Sequence, residues 1–320
     1  MNVLFFASGA FAIPAFDALR RSSHTVVGVV SQPDRPAGRG RSLTPTPLAA
    51  HAEKNGLRVQ KILDVNTPEF IGQIAGCHAD VIVAIAFGQK LSDSLLSSVK
   101  YGGINLHGSL LPAFRGAAPV NAAIMSGAAA TGVTVIRLSH IMDGGEILAA
   151  REIPIGPDQT AGELHDQLAD LGAPLVPAVL DNFARGELAG RPQNNALASK
   201  ASKLSKAMAW VDLSSTAEMV SARIRGLSPW PGCLMEFRSP DGAKKLAAQI
   251  LKCRAVSPGG GAADSGTVTG ELMISCGSGA IELLTIVPIG RKPMDMRSFA
   301  NGYGLKSGWI AISQSPDVRR

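Results

Sequence analysis

Asn105 and His107 stand two residues apart in Gly103-Ile104-Asn105-Leu106-His107, at the end of an apolar run. Side chains alternate faces along a strand, so these two leave on one face while Ile104 and Leu106 leave on the other. A polar pair at the end of a buried strand is costly without partners, so it needs a local hydrogen-bond network or a ligand. Asp143 lies farther along, in the Gly-rich turn Ile141-Met142-Asp143-Gly144-Gly145-Glu146, between the β-like runs 133–138 and 147–155. These residue types suit acyl transfer. An Asn amide can donate to a developing oxyanion, and a His oriented by an Asp can move a proton. Taken singly, each has a structural alternative: a satisfied interior pair for Asn105 and His107, a turn cap for Asp143.

After His107 the strand breaks at Gly108 and continues as Ser109-Leu110-Leu111-Pro112. Pro112 holds Leu111 extended and brings no N–H of its own. Extended backbone with open polar groups can meet the edge of a flat heteroaromatic ring. Arg115-Gly116-Ala117-Ala118-Pro119 then leads into a helix of small residues, 120–126.

The run from Asn105 to Pro112, followed by Arg115 to Pro119, resembles the folate-dependent formyltransferases, and most closely those that act on tRNA. The resemblance implies Asn105, His107 and Asp143 as the catalytic set. It implies Ser109, Leu110, Leu111 and Pro112 as folate contacts, with Phe87 as part of an apolar wall or of the core. It also implies 10-formyltetrahydrofolate as formyl donor and methionyl initiator tRNA as acceptor. A family member acting on a small amine, such as a ribonucleotide or an amino sugar, is the alternative. The chain departs from its relatives in places: Phe87 stands where Tyr is frequent, Phe114 where Trp is usual, and Asp-Gly-Gly-Glu where Asp-Thr-Gly-Asp is common.

The elements that must position these residues read as an alternation of strand and helix. Strands are expected at 3–7, 25–31, 80–84 and 104–107, with helices at 12–21 and 70–75 between them. Apolar runs of this kind are buried on both faces of a parallel sheet. The pattern predicts an α/β, Rossmann-like doubly wound domain, whose ligands bind beyond the carboxyl ends of the strands. Asn105 and His107 lie at such an end. The first turn, Ala7-Ser8-Gly9-Ala10, lacks Gly-x-Gly-x-x-Gly, and no acidic residue follows the second strand, which argues against a nicotinamide cofactor.

At 320 residues two domains are expected. The division is read as a catalytic domain at 1–186, a polar linker at 187–206, and a C-terminal domain at 207–320. Short strands at 233–237, 246–256, 267–275 and 280–287 are separated by Gly, Pro and Asp turns. The resemblance makes this second domain a small OB-like β-barrel that binds tRNA. Charge agrees with a polyanion partner there. Residues 191–320 carry 17 Lys and Arg against 9 Asp and Glu, whereas residues 1–190 carry 14 against 16.

Residues 32–47 form a Pro/Gly/Arg-rich stretch without periodicity, expected as a long functional loop. Its arginines, Arg39 first, then Arg41 and Arg35, suit phosphate contact. Lys203 and Lys206, in the basic stretch past the linker, are further tRNA candidates. The four cysteines are scattered and the six histidines lack ligand spacing, so neither a disulfide framework nor a metal site is expected. No run of about 18 uncharged apolar residues occurs. Met1 to Ala7 reads as a first strand rather than a signal peptide. The expectation is a cytoplasmic monomer without a membrane segment.

Overall fold

The structure, a computed structural model, describes residues 1–37, 40–187, 189–257 and 264–313. By contact density the chain forms two compact units. One comprises Met1–Pro119, Gly132–Ile153 and His165–Lys200; the other comprises Val120–Thr131, Pro154–Leu164 and the chain from Ala201 onward.

The first unit is built on a seven-stranded sheet. Its strands are β1 (Asn2–Ala7), β2 (Thr25–Ser31), β5 (Val59–Lys61), β6 (Val81–Ile85), β7 (Gly103–His107), β9 (Ala130–Arg137) and β10 (Ile147–Pro154), with α1 (Ile13–Arg20) following β1. The spatial order is β10-β9-β7-β6-β1-β2-β5. β5, β2, β1, β6 and β7 run parallel, and β9 joins β7 antiparallel. Phe5, Phe6, Val81, Ile82 and Val83 in the two central strands are inaccessible to solvent, as a sheet covered on both faces requires.

Helix starts are marked locally. Thr46 caps α2 (Pro47–Lys54) by accepting from the Ala49 N–H, and Thr67 caps α3 (Pro68–Ala75) by accepting from Phe70. Each is followed by a proline at the first helical position, where a missing N–H costs nothing. The short α4 (Asp93–Leu96) precedes β7, and the two-residue β8 (Arg115–Gly116) and α5 (Pro119–Met125) follow it. α6 (Ala161–Gly172) ends on β7: a Cβ at Gly172 would stand 2.6 Å from Leu106. That close approach buries the apolar face of β7 and leaves its other face to Asn105 and His107. Pro174 separates α6 from α7 (Leu175–Ala184), as its position predicts.

The 32–47 stretch differs from the expected irregular loop. β3 (Arg35–Ala37) and β4 (Ser42–Thr44) pair as an exposed antiparallel hairpin in the register Arg35–Thr44, Pro36–Leu43 and Ala37–Ser42. Its strands bury no face, so no alternation of polar and apolar residues marks them. Leu43 is 71% exposed.

The short β11 (Lys200–Ala201) spans the boundary between the units, and the second unit contains α8 (Ala217–Gly226) and a five-stranded antiparallel sheet. The strands are β12 (Cys233–Arg238), β13 (Lys245–Val256), β14 (Ile274–Ser275), β15 (Ala280–Pro288) and β16 (Ile310–Ile312), in the order β14-β15-β13-β12-β16. The expected strand at 267–275 is a tight hairpin instead. Thr267 and Val268 bridge to Ile310 and Ile274, and the Thr269 N–H bonds the Met273 carbonyl. Residues 266–268 thereby link the two outer strands, β16 and β14, and nearly close an OB-like barrel. Its core packs Val220 and Ile224 of α8 with Met235, Phe237, Ile250 and Ile286, and Phe299 of α9 (Met296–Tyr303) lies 5.6 Å from Phe237.

Candidate active site

Asn105 and His107 emerge together at the carboxyl end of β7, as period two requires. In the neighbouring antiparallel strand, Asn105 lies opposite Ile136 and His107 opposite Thr134. Thr134 is fully buried and fixes the chain beyond β7. Its hydroxyl donates to the Ser109 carbonyl at 2.7 Å and accepts from the Leu111 N–H at 3.1 Å. The Ser109 hydroxyl, also fully buried, donates to the Ala113 carbonyl at 2.6 Å. Ser109 therefore shapes this loop from within. Leu111 packs on Ile136 and Ile147, leaving Leu110 and Pro112 half-buried. Phe87 is buried against Phe6, 5.3 Å between ring centres, in the core of the first unit.

The loop returns to His107. The ring Nε2 lies 2.9 Å from the main-chain carbonyl of Phe114. A carbonyl only accepts, so this contact places a proton on Nε2 and leaves Nδ1 as the acceptor of the neutral ring. Nδ1 faces the Asp143 carboxylate, 3.6 Å from Oδ1. The other carboxylate oxygen, Oδ2, accepts the Gly116 N–H at 2.8 Å. His107 is 6% exposed at its side chain and Asp143 14%, so the pair faces each other largely out of water. Asn105 is half-buried, and among the described residues its carboxamide has no hydrogen-bond partner.

Two residues that flank His107 carry backbone strain, and a third follows the neighbouring strand β6. Phe114 (φ 59°), Asp143 (φ 53°) and Ala86 (φ 45°), which follows β6, occupy the left-handed region without being glycine. Each such residue costs on the order of 1–3 kcal/mol and persists where surrounding contacts hold it. At the Asp143 turn those contacts include Gly145, where a Cβ would stand 1.8 Å from the Arg137 carbonyl oxygen.

A side chain that sequence reasoning missed also holds this turn. Gln193 Nε2 donates to the Asp143 carbonyl at 2.8 Å and to the Gly145 carbonyl at 2.7 Å. Its Oε1 accepts from Arg115 through Nε at 3.1 Å and Nη2 at 2.6 Å. Arg115 Nη2 also reaches Asn195 Oδ1 at 2.8 Å. The polar stretch expected as a linker thus contributes to the site. The sequence marks this stretch only by its polar composition, which does not point to Asp143.

Of the proposed tRNA-contacting residues, Arg35 and Arg41 are exposed on the hairpin, and Arg39 lies outside the described residues. Arg35 donates to Gln32 at 3.2 Å. Lys203 and Lys206 are exposed in the second unit. Among the described residues no group of three or more His, Cys, Asp or Glu could hold a metal ion, and no helix is long and apolar enough to cross a membrane.

Two family profiles match the chain: "Formyl transferase" over residues 1–180, and "Formyl transferase, C-terminal domain" over residues 203–304. The chain belongs to the formyl transferase family. Among its relatives, a methionyl-tRNA formyltransferase of Citrifermentans bemidjiense is 37% identical, covering 99% of this chain and 98% of that protein. A methionyl-tRNA formyltransferase of Caulobacter vibrioides is 38% identical, covering 97% and 99%. Similarity of fold extends to an N-formyltransferase from Helicobacter canadensis solved with folinic acid and dTDP-3-aminofucose. That comparison gives a TM-score of 0.63 at 16% identity over 89% of this chain and 98% of the other. HypX from Aquifex aeolicus, solved with tetrahydrofolic acid, gives 0.57 at 17% identity, over 95% of this chain and 48% of its own length. This formyl transferase is an enzyme of two domains, a Rossmann-like catalytic domain and an OB-like barrel.

Proposed function

We propose that the enzyme transfers the formyl group of 10-formyltetrahydrofolate to the α-amine of methionyl initiator tRNA, giving formylmethionyl-tRNA for translation initiation. The observation that carries this reading is full-length similarity to methionyl-tRNA formyltransferases, through both domains. The convergence of Asn105, His107 and Asp143 at one strand end supplies its chemistry.

The neutral amine attacks the formyl carbon. A C–N bond forms, and the carbonyl π pair moves onto oxygen. The Asn105 carboxamide, free to donate, stabilises that oxyanion. The amine proton passes to His107 Nδ1. The resulting imidazolium donates through Nε2 to the Phe114 carbonyl and faces the Asp143 carboxylate through Nδ1. The proton then goes to N10 of the folate as its bond to the formyl carbon breaks. Leu110, Pro112 and the loop shaped by Ser109 and Leu111 form the folate side of the site, with Phe87 as buried support behind it. Arg35, Arg39, Arg41, Lys203 and Lys206 contact tRNA phosphates, and the basic barrel domain adds to that field. The enzyme works as a cytoplasmic monomer.

Replacing Asn105 tests the chemistry. Loss of one oxyanion donor lowers turnover by about 100- to 1,000-fold. Asn105→Ala is expected to lose kcat by that factor with both substrate affinities within about twofold. Near-normal turnover in this variant contradicts the assignment.

A further inference from the structure

We propose that Gln193 is a positioning residue for the catalytic pair, acting as a clamp that sets Asp143 against His107. The inference rests on the catalytic reading above and adds to it the means by which the geometry is held. The Gln193 carboxamide is itself oriented: the Arg115 guanidinium takes its oxygen in a fork of 2.6 and 3.1 Å, which turns its NH2 group toward the turn. That NH2 spends both hydrogens on one turn, on the carbonyls of Asp143 and Gly145. Asp143 is held in the left-handed region, and its own carbonyl is one of the two anchors.

The same segment holds the other side of the pair. Ser199 Oγ accepts the Phe114 N–H at 2.9 Å, and the Ser199 carbonyl accepts the Arg115 N–H at 2.8 Å. Arg191 bonds Ile147 in both directions at the start of β10, at 2.8 and 2.9 Å. Residues 191–199 therefore strap together the turn that carries Asp143 and the chain whose carbonyl holds His107. Gly116, next to Arg115, closes the ring by donating to Asp143 Oδ2. Gln193 is where the two halves meet, because it alone bonds both Arg115 and the Asp143 turn among the described residues.

Two substitutions separate positioning from support. Gln193→Leu removes both ends of the clamp. Gln193→Glu keeps an acceptor for Arg115 but turns a carboxylate oxygen toward two carbonyls. If Gln193 served only to satisfy Arg115, Glu would rescue it. As a clamp on Asp143, Glu fails like Leu. A displacement of about 1 Å at a catalytic group can cost about 100-fold. Both variants are expected to lose kcat by roughly 10- to 100-fold, with the KM values for formylfolate and methionyl-tRNA within about twofold. In an Asp143→Ala background neither substitution is expected to cost more than about twofold further, since the group being positioned is gone. Hydrogen exchange gives a second readout without turnover: the Gly116 amide should exchange about tenfold faster in Gln193→Leu. Wild-type turnover in Gln193→Glu, full additivity with Asp143→Ala, or unchanged Gly116 exchange overturns the clamp. Absence of formyl product from the unmutated enzyme would instead overturn the functional reading, and the exchange measurement would still decide the clamp.

Discussion

The His107 imidazole is held on one edge by the main-chain carbonyl of Phe114, 2.9 Å from Nε2, and faces Asp143 only through the other. The proposed proton-moving group is thus oriented by backbone, and that backbone sits at φ 59° on a residue that is not glycine. On the proposed mechanism, the conformation of residue 114 becomes a catalytic variable even though its side chain need not touch substrate.

Gly and a β-branched residue at position 114 should therefore differ sharply. Glycine adopts φ near 60° without strain, whereas Val at such an angle is a steric outlier. Phe114→Gly is expected to keep kcat within about fivefold, and Phe114→Val to lose at least about tenfold. Steady-state kinetics on the two purified variants checks the contrast, and equal losses would show that the ring rather than the carbonyl matters.

The second unit carries an acid-sensitive ion pair. Arg254 donates to both carboxylate oxygens of Asp158, at 2.9 Å from Nε and 2.6 Å from Nη2 to Oδ2 and 3.1 Å from Nε to Oδ1. These bonds hold the Asp158 carboxyl below its ordinary range, outweighing the opposing effect of partial burial. Its folded pKa then lies under the unfolded value of about 3.9, so the stabilisation is complete above about pH 4 and is lost as pH falls through the lower folded value. Asp158→Asn should lower Tm slightly at pH 7, and the gap from the wild type should narrow as pH falls below about 4. Calorimetric scans between pH 7 and pH 3 test this; a gap that widens toward acid would reverse the assignment.

Thiol reactivity should report the core of the barrel. Burial pushes the thiols of Cys233 and Cys253 up to about 12 and that of Cys276 up to about 11, while Cys77 is only half-buried. The thiolate is the reactive form. A disulfide reagent at pH 8 is expected to titrate one thiol in the native protein, lost in Cys77→Ser, and all four after denaturation. Rapid reaction of a second native thiol would mean that the barrel opens.

Binding of tRNA should weaken steeply with salt, because each phosphate contact releases condensed counterion. Arg41→Ala and Lys206→Ala are each expected to flatten the slope of log affinity against log salt by roughly 0.7–0.9, with folate affinity unchanged. Filter binding across a salt series measures this, and an unaltered slope in both variants would remove these residues from the interface.

The strand that carries Asn105 and His107 was legible because burial and period two leave little choice for them. The parallel sheet followed from apolar runs such as 80–84, whose strand stands one residue along at Val81–Ile85. Asp143 could be grouped with His107 only by residue chemistry and by resemblance, since 35 residues of chain lie between them. Gln193 was not legible at all. Its role depends on a long-range meeting of polar side chains, and nothing in a Pro- and Asn-rich segment encodes the partner. The carbonyl of Phe114 was equally hidden, because a left-handed Phe has no compositional mark. The hairpin at 35–44 was missed because a strand pair with no buried face leaves no alternation to read. Barrel strands were visible one by one, whereas near-closure through Thr267 and Val268 is a matter of register between distant segments.

The most direct test of the central claim is a formyl-transfer assay with 10-formyltetrahydrofolate. The acceptors are methionyl initiator tRNA, the uncharged tRNA, and small amines such as an amino sugar nucleotide and glycinamide ribonucleotide. Formylmethionyl-tRNA as the sole formylated product, with one tetrahydrofolate released per formyl transferred, is the predicted result. Transfer to a small amine alone, or free formate with every acceptor, would contradict it.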